Sequence, residues 1–162
     1  MAQTRSLPKS SNRSAIYEAL LPQLESLLSD ETDLVANQAN LVASIKEALG
    51  FFWVGFYWAK ENQLILGPFQ GPIACTRIDF NRGVCGHAYT TGKTIVVPDV
   101  EQFPGHIACN SASRSEIVIP VFHPIHGTVV GVLDIDSNQL NDFHEVDAHW
   151  LEKMVKILEK RL

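Results

Sequence analysis

No C-x-x-C pair occurs among the three cysteines of this 162-residue chain. That absence removes both the zinc-ribbon spacing and the thioredoxin-type redox motif. An odd count of cysteines also makes a framework of structural disulfides a poor reading, so chemical roles for single thiols gain weight. No apolar run approaches the roughly 20 residues of a membrane span. The opening "MAQTRSLPKSSNRS" lacks the apolar core of a secretory signal. A cytoplasmic protein with no membrane partner is expected. Cations are few: 13 Lys and Arg against 18 Asp and Glu, with no cluster beyond the mildly basic C-terminal "EKMVKILEKRL". A nucleic-acid surface needs clustered cations, so no nucleic-acid partner is expected.

Metal and phosphate motifs are missing too. His123 and His126 read as turn residues around Pro124, and His144 and His149 stand five apart rather than the four that put two ligands on one helix face. In "GHAYTTGKT" five residues rather than four separate Gly86 from Gly92, and no strand leads directly into it. A phosphate-binding loop is therefore rejected. No metal site and no bound cofactor are expected.

What is present is a globular composition, 46% hydrophobic and 19% charged, sufficient for one domain with a real core. Residues 1–13 are polar and read as a flexible tail, and a single domain spans 14–162. Ser14 is placed to cap a first helix with Ile16, Leu20, Leu24, Leu27 and Leu28 at helical spacing, which Pro22 should kink or split. A second helix, capped by Thr32 or Asp33, shows Leu34, Gln38, Leu41, Ile45 and Leu49 on one face and stops at Gly50. "FFWVGFYWA" (51–59) is apolar on both faces and reads as an interior strand. Alternation puts Phe52, Val54, Phe56 and Trp58 on one side, and Trp53, Gly55 and Tyr57 on the other. "KEN" turns the chain into a second strand, "QLILGPFQG".

The stretch 71–115 is irregular and holds all three cysteines. Within it "GVCGHAYTTGK" suggests a short helix and "TIVVPD" a strand. Residues 100–115 form a long loop of the kind that is usually functional or mobile. "EIVIPVF" (116–122) and "TVVGVLDID" (128–136) make a second hairpin. The closing helix is capped by Asn141 or Asp142, with Phe143, Val146, Trp150, Met154, Ile157 and Leu158 facing the core. The order contains no βαβαβ alternation. The fold class is therefore α+β, a central antiparallel sheet with helices packed on it.

Two groups of residues carry chemistry. Cys109 heads a polar stretch, "HIACNSASRSEI", unlike the aliphatic surroundings of a cysteine kept for packing. Cys75 and Cys109 have Arg77 and Arg114 nearby in sequence, and cations favour a thiolate if they face it. Cys85 is equally well read as packing where a loop meets a helix. The second group is acidic. Asp134 and Asp136 lie two apart on a strand, sharing a face with Val130 and Val132, and a hairpin through "HPIHG" brings Glu116 beside them. The plainer reading is that the strand simply emerges into solvent. Acids gathered at one sheet end point instead to a cationic ligand group, a metal or an acid held protonated. Trp53 and Tyr57 could wall such a site or be ordinary core aromatics.

Taken in order, "WVGFY", "GPFQGPIACTRI", "GVCGHAY", "FPGHIACNSASRSEIVIPV" and "GVLDIDS" resemble the GAF-domain free methionine-(R)-sulfoxide reductases, from about Ser14 to the end. The resemblance implies a single GAF domain that reduces the unbound amino acid. It implies Cys109 as nucleophile, Cys75 as the cysteine that resolves its sulfenic acid as a disulfide, and Cys85 in an auxiliary part. Trp53, Tyr57, Glu116, Asp134 and Asp136 correspond to the substrate pocket. Thioredoxin is the implied reductant, and a homodimer is compatible with the sequence. A non-catalytic GAF sensor binding a small ligand is the alternative.

Overall fold

A computed structural model describes residues 12–162. The assigned tail lies outside them as far as Ser11. Asn12 and Arg13 belong to the first helix instead. Helix α1 (Arg13–Leu28) is capped by the Asn12 side chain, which accepts from the amides of Ser14 and Ala15. The expected cap at Ser14 is thus two residues late, because Asn12 is the better acceptor. Pro22 does not split α1. It lies exposed, while Tyr17, Leu20, Leu24 and Leu28 bury the opposite side, and that packing outweighs one lost hydrogen bond. Helix α2 (Leu34–Leu49) is capped by Asp33 and ends at Gly50, whose φ of 72° suits a residue without Cβ.

Strand β1 (Trp53–Lys60) turns into β2 (Gln63–Gln70) through Glu61 and Asn62, both left-handed, the two-residue turn that matches strand twist. The short β3 (Arg77–Asp79) follows, then helix α3 (Gly83–Thr91) and β4 (Ile95–Val97). A single 3-10 turn (Val100–Gln102) opens the long loop. The second hairpin is β5 (Ser115–Phe122) and β6 (Val129–Ser137), and α4 (Glu145–Glu159) closes the chain. The six strands form one antiparallel sheet in the order β3-β2-β1-β6-β5-β4. β1 and β6 are its centre, as the two-faced apolarity of β1 requires.

The sheet has two buried faces. Helices α1, α2 and α4 cover one, over Val54, Phe56, Ile117, Ile119, Leu133 and Ile135. Helix α3 and the loops cover the other, over Trp53, Tyr57, Val118 and Val132. Two side chains depart from simple alternation. Phe52 lies just before the strand and packs on the α3 side rather than with Val54. Val130 packs on the three-helix side, away from Val132, next to the register shift between Val121 and Phe122. The cap of α4 is also not Asn141 or Asp142. His144 holds that position, and the Asp147 carboxylate accepts from its amide at 2.9 Å. Asp142 is drawn aside by Arg13 at 2.7 Å and by the Ser137 hydroxyl at 2.5 Å.

Among the described residues no helix is long and apolar enough to cross a membrane.

Candidate active site

The pocket is built on the α3 face of β1, β6 and β5, where register decides which side chains meet. Trp53 pairs with Asp136, Gly55 with Asp134, and Asp136 in turn with Glu116. Gly55 is required here. A Cβ on it would sit 2.3 Å from the Trp53 ring, so its absence lets the indole fold across the strand. The indole stacks between Tyr57 (6.0 Å) and Phe69 (5.4 Å). The polar tips of both aromatics then reach the loop above. Trp53 Nε1 donates to the Pro72 carbonyl at 3.0 Å, and the Tyr57 hydroxyl donates to the Cys75 carbonyl at 2.9 Å. The segment carrying Cys75 is thereby pinned over the sheet.

Cys75 and Cys109 are joined by a disulfide, with their Cα atoms 5.3 Å apart. The bridge ties the 71–76 segment to the long loop; Cys109 lines the pocket, and Cys75 joins it only through the bridge. Cys85 is the remaining, free thiol, buried on α3 beneath it. Its neighbour Gly86 approaches the Asp79 and Phe80 carbonyls so closely that a Cβ would lie 2.9 and 2.8 Å from them. That approach seats the first turn of α3 against the sheet. The cavity is lined by Trp53, Tyr57, Cys85, Cys109, Glu116, Asp134 and Asp136, all named from the sequence, and its volume is about 40 Å³. That is room for a few water molecules.

The acids do not emerge into solvent. Glu116 is 6% exposed and Asp134 7%. Burial, and then the charge of its neighbours, pushes the Glu116 and Asp134 carboxyls well above the ordinary range. Burial also raises Asp136, to about 6, although the Ser113 hydroxyl donates to it and favours its charged form. Burial first, and Asp134 next, push the Cys85 thiol up as well. Asp134 Oδ1 is buried without a hydrogen-bond partner, an acceptor that is costly to leave unmatched in a folded protein. Cys85 Sγ and one carboxylate oxygen from each of Glu116 and Asp134 lie within 4.8 Å of one another.

The two arginines beside Cys75 and Cys109 in sequence do not line the pocket. Arg77 is exposed and pairs with Glu61 at 3.7 Å, and Arg114 is exposed. Strand alternation turns Ile78 to the pocket face and Arg77 away from it, so proximity in sequence did not become proximity to a sulfur. Other residues enter without having been singled out. His106 lies with Nε2 3.8 Å from Glu116 Oε2, and burial lowers its pKa. Ser113 holds Asp136 in place. Both belong to the stretch quoted around Cys109, but a single His and a single Ser in a loop carry no periodic signal.

The arrangement combines a dithiol pair that forms a bond, carboxyls whose charged form burial disfavours, and an aromatic wall. Known proteins resemble the chain in sequence and fold. The family model described as GAF domain matches residues 30–159. A solved chain from Neisseria meningitidis, described as free methionine-R-sulfoxide reductase in complex with its substrate, is 54% identical, with a TM-score of 0.92 over 98% of this chain and 95% of that one. "GAF domain-containing protein A" of Dictyostelium discoideum is 53% identical over 98% of this chain and 99% of its own length. The free methionine-R-sulfoxide reductase of Saccharomyces cerevisiae is 42% identical over 92% of this chain and 87% of its own. Similarity at that level over nearly the whole length, together with the matching fold, makes this chain a member of the GAF-domain free methionine-(R)-sulfoxide reductase family.

Proposed function

We propose that this protein reduces free L-methionine-(R)-sulfoxide to methionine, with Cys109 as nucleophile and Cys75 as resolving thiol. The observation that carries the reading is the Cys75–Cys109 bridge, whose Cys109 lines the same pocket as Glu116, Asp134 and Asp136. A sulfoxide sulfur is electrophilic, but its oxygen departs only when protonated, so a thiol and an acid must act together. Glu116 and Asp134, held protonated, supply the acid. Asp136, the acid whose pKa stays nearest the ordinary range, is ionised at neutral pH and receives the substrate ammonium. Trp53 and Tyr57 enclose the methyl end and select the configuration at sulfur.

The steps balance without a cofactor. The Cys109 thiolate attacks the protonated sulfoxide sulfur and the S–O bond breaks with the oxygen leaving as water; water then attacks the Cys109 sulfur, the new S–S bond breaks, and methionine leaves with Cys109 as a sulfenic acid. The Cys75 thiol attacks that sulfur, water departs and the disulfide forms. Two electrons from an external dithiol, thioredoxin in this reading, restore both thiols. A cytoplasmic location goes with this proposal, since recycling needs a reducing compartment. Cys85, buried and with its thiol pKa raised, stays out of the exchange and serves as an auxiliary beside the acids. A non-catalytic sensor has no use for a disulfide in its ligand pocket.

The test is a thioredoxin-coupled assay with free methionine-R-sulfoxide, the S epimer and a peptide-bound sulfoxide. Turnover of the free R form alone is expected. Absence of turnover with every sulfoxide would sink the proposal.

A further inference from the structure

We infer that the floor of the pocket is a binding site for a thiophilic divalent cation, zinc or cadmium, held by Cys85, Glu116 and Asp134. The three come from different elements, α3, β5 and β6, so no spacing in the sequence could reveal them. Their ligating atoms lie within 4.8 Å of one another. In a zinc centre sulfur stands about 2.3 Å and carboxylate oxygen about 2.0–2.2 Å from the metal, so ligand atoms of one tetrahedron are separated by about 3.5 Å. Ligation displaces the protons of Cys85, Glu116 and Asp134 to solvent as the metal takes their place.

A second observation points to a ligand here. Asp134 Oδ1 is buried and has no hydrogen-bond partner. The Cys85 thiol and the Glu116 carboxyl, the other two members of the set, hydrogen-bond to the same Asp134 carboxyl. One sulfur with two oxygens suits zinc or cadmium, whereas magnesium and calcium demand all-oxygen sites of six or more ligands. Metal held here occupies the acids assigned to the sulfoxide, so a bound cation and a bound substrate exclude each other.

The site uses neither sulfur of the disulfide, and this makes the test clean. In the fully oxidised protein Cys85 is the sole free thiol. Cadmium chloride alone is titrated into the oxidised full chain, followed by the thiolate-to-cadmium ultraviolet band and by calorimetry. One cadmium per chain with a growing band is expected. Cys85→Ser should abolish the band. Asp134→Asn, with the thiol intact, should weaken affinity by more than about tenfold. Circular dichroism of each variant verifies its fold. No band in the oxidised wild type, or an affinity unchanged by Asp134→Asn, would overturn the assignment. The readout needs no sulfoxide turnover, so its failure and the failure of the proposed reductase activity are separate events.

Discussion

Cys109 and Glu116 stand seven positions apart in one continuous stretch, and both line one cavity from different parts of the fold. Cys109 lies in the long loop, tied to Cys75, and Glu116 sits on β5. The division of labour predicts a clean split between two variants. Cys109→Ser should abolish even a single turnover without reductant. Cys75→Ser should retain that turnover and slow recycling, as quench-flow measurement of methionine would show. If Cys109→Ser keeps full single-turnover activity, the assignment of the nucleophile fails. The acids have a thermodynamic signature as well. Asp136 is raised from 3.8 to about 6 by burial, so the native state holds its proton more tightly than the unfolded chain does. Its contribution is fully present below the unfolded pKa and is lost as pH rises through about 6. Thermal stability should therefore fall between pH 4 and pH 7, and Asp136→Asn should flatten that slope. A denaturation series across pH checks this.

The secondary elements were mostly readable, and the exceptions share a cause. α2 with Asp33 and Gly50, the tight hairpin after β1, and the two-faced apolarity of β1 are all local statements, and they survived folding. β3 was missed because three residues at a sheet edge are too few to show a period. The caps of α1 and α4 were misplaced because a cap competes with tertiary partners. Asp142 is a good capping residue by type, but Arg13 and Ser137 occupy it. That competition also explains how the first and last helices are joined. The carboxylate of Asp147, fully buried, accepts from the Tyr17 hydroxyl at 2.8 Å and from the Arg13 guanidinium at 3.2 Å. Arg13 further lies 5.1 Å over the Phe51 ring. Arg13→Ala would leave a buried carboxylate without its cation, and a loss of about 3 kcal/mol in urea unfolding is expected. The candidate site was legible as a list of residues. Its arrangement was not, since it depends on pairings such as Trp53 with Asp136 that only register supplies.

At the scale of the molecule, one sheet separates two jobs. Its three-helix face is a continuous hydrophobic core. Its other face carries acids, thiols and aromatics under loops held by a single covalent strap. With the strap closed, the two loop segments are held together across the pocket. Methionine sulfoxide should accordingly bind the reduced protein and fail to bind the oxidised one at the same concentration, by calorimetry with a Cys109→Ser sample standing for the open state. Equal affinity for both forms would show that the loops part without breaking the bridge.

The strap closes a loop between positions 34 residues apart. Restricting the unfolded chain over that span stabilises the folded state by about 4 kcal/mol. In the proposed cycle each round switches the protein between a more and a less heat-resistant form, a difference of about 10 °C in Tm. Melting temperature becomes a ledger of turnover. A sample exposed to sulfoxide but starved of reductant should accumulate in the sturdier form, readable by dye fluorescence with no assay of the product at all.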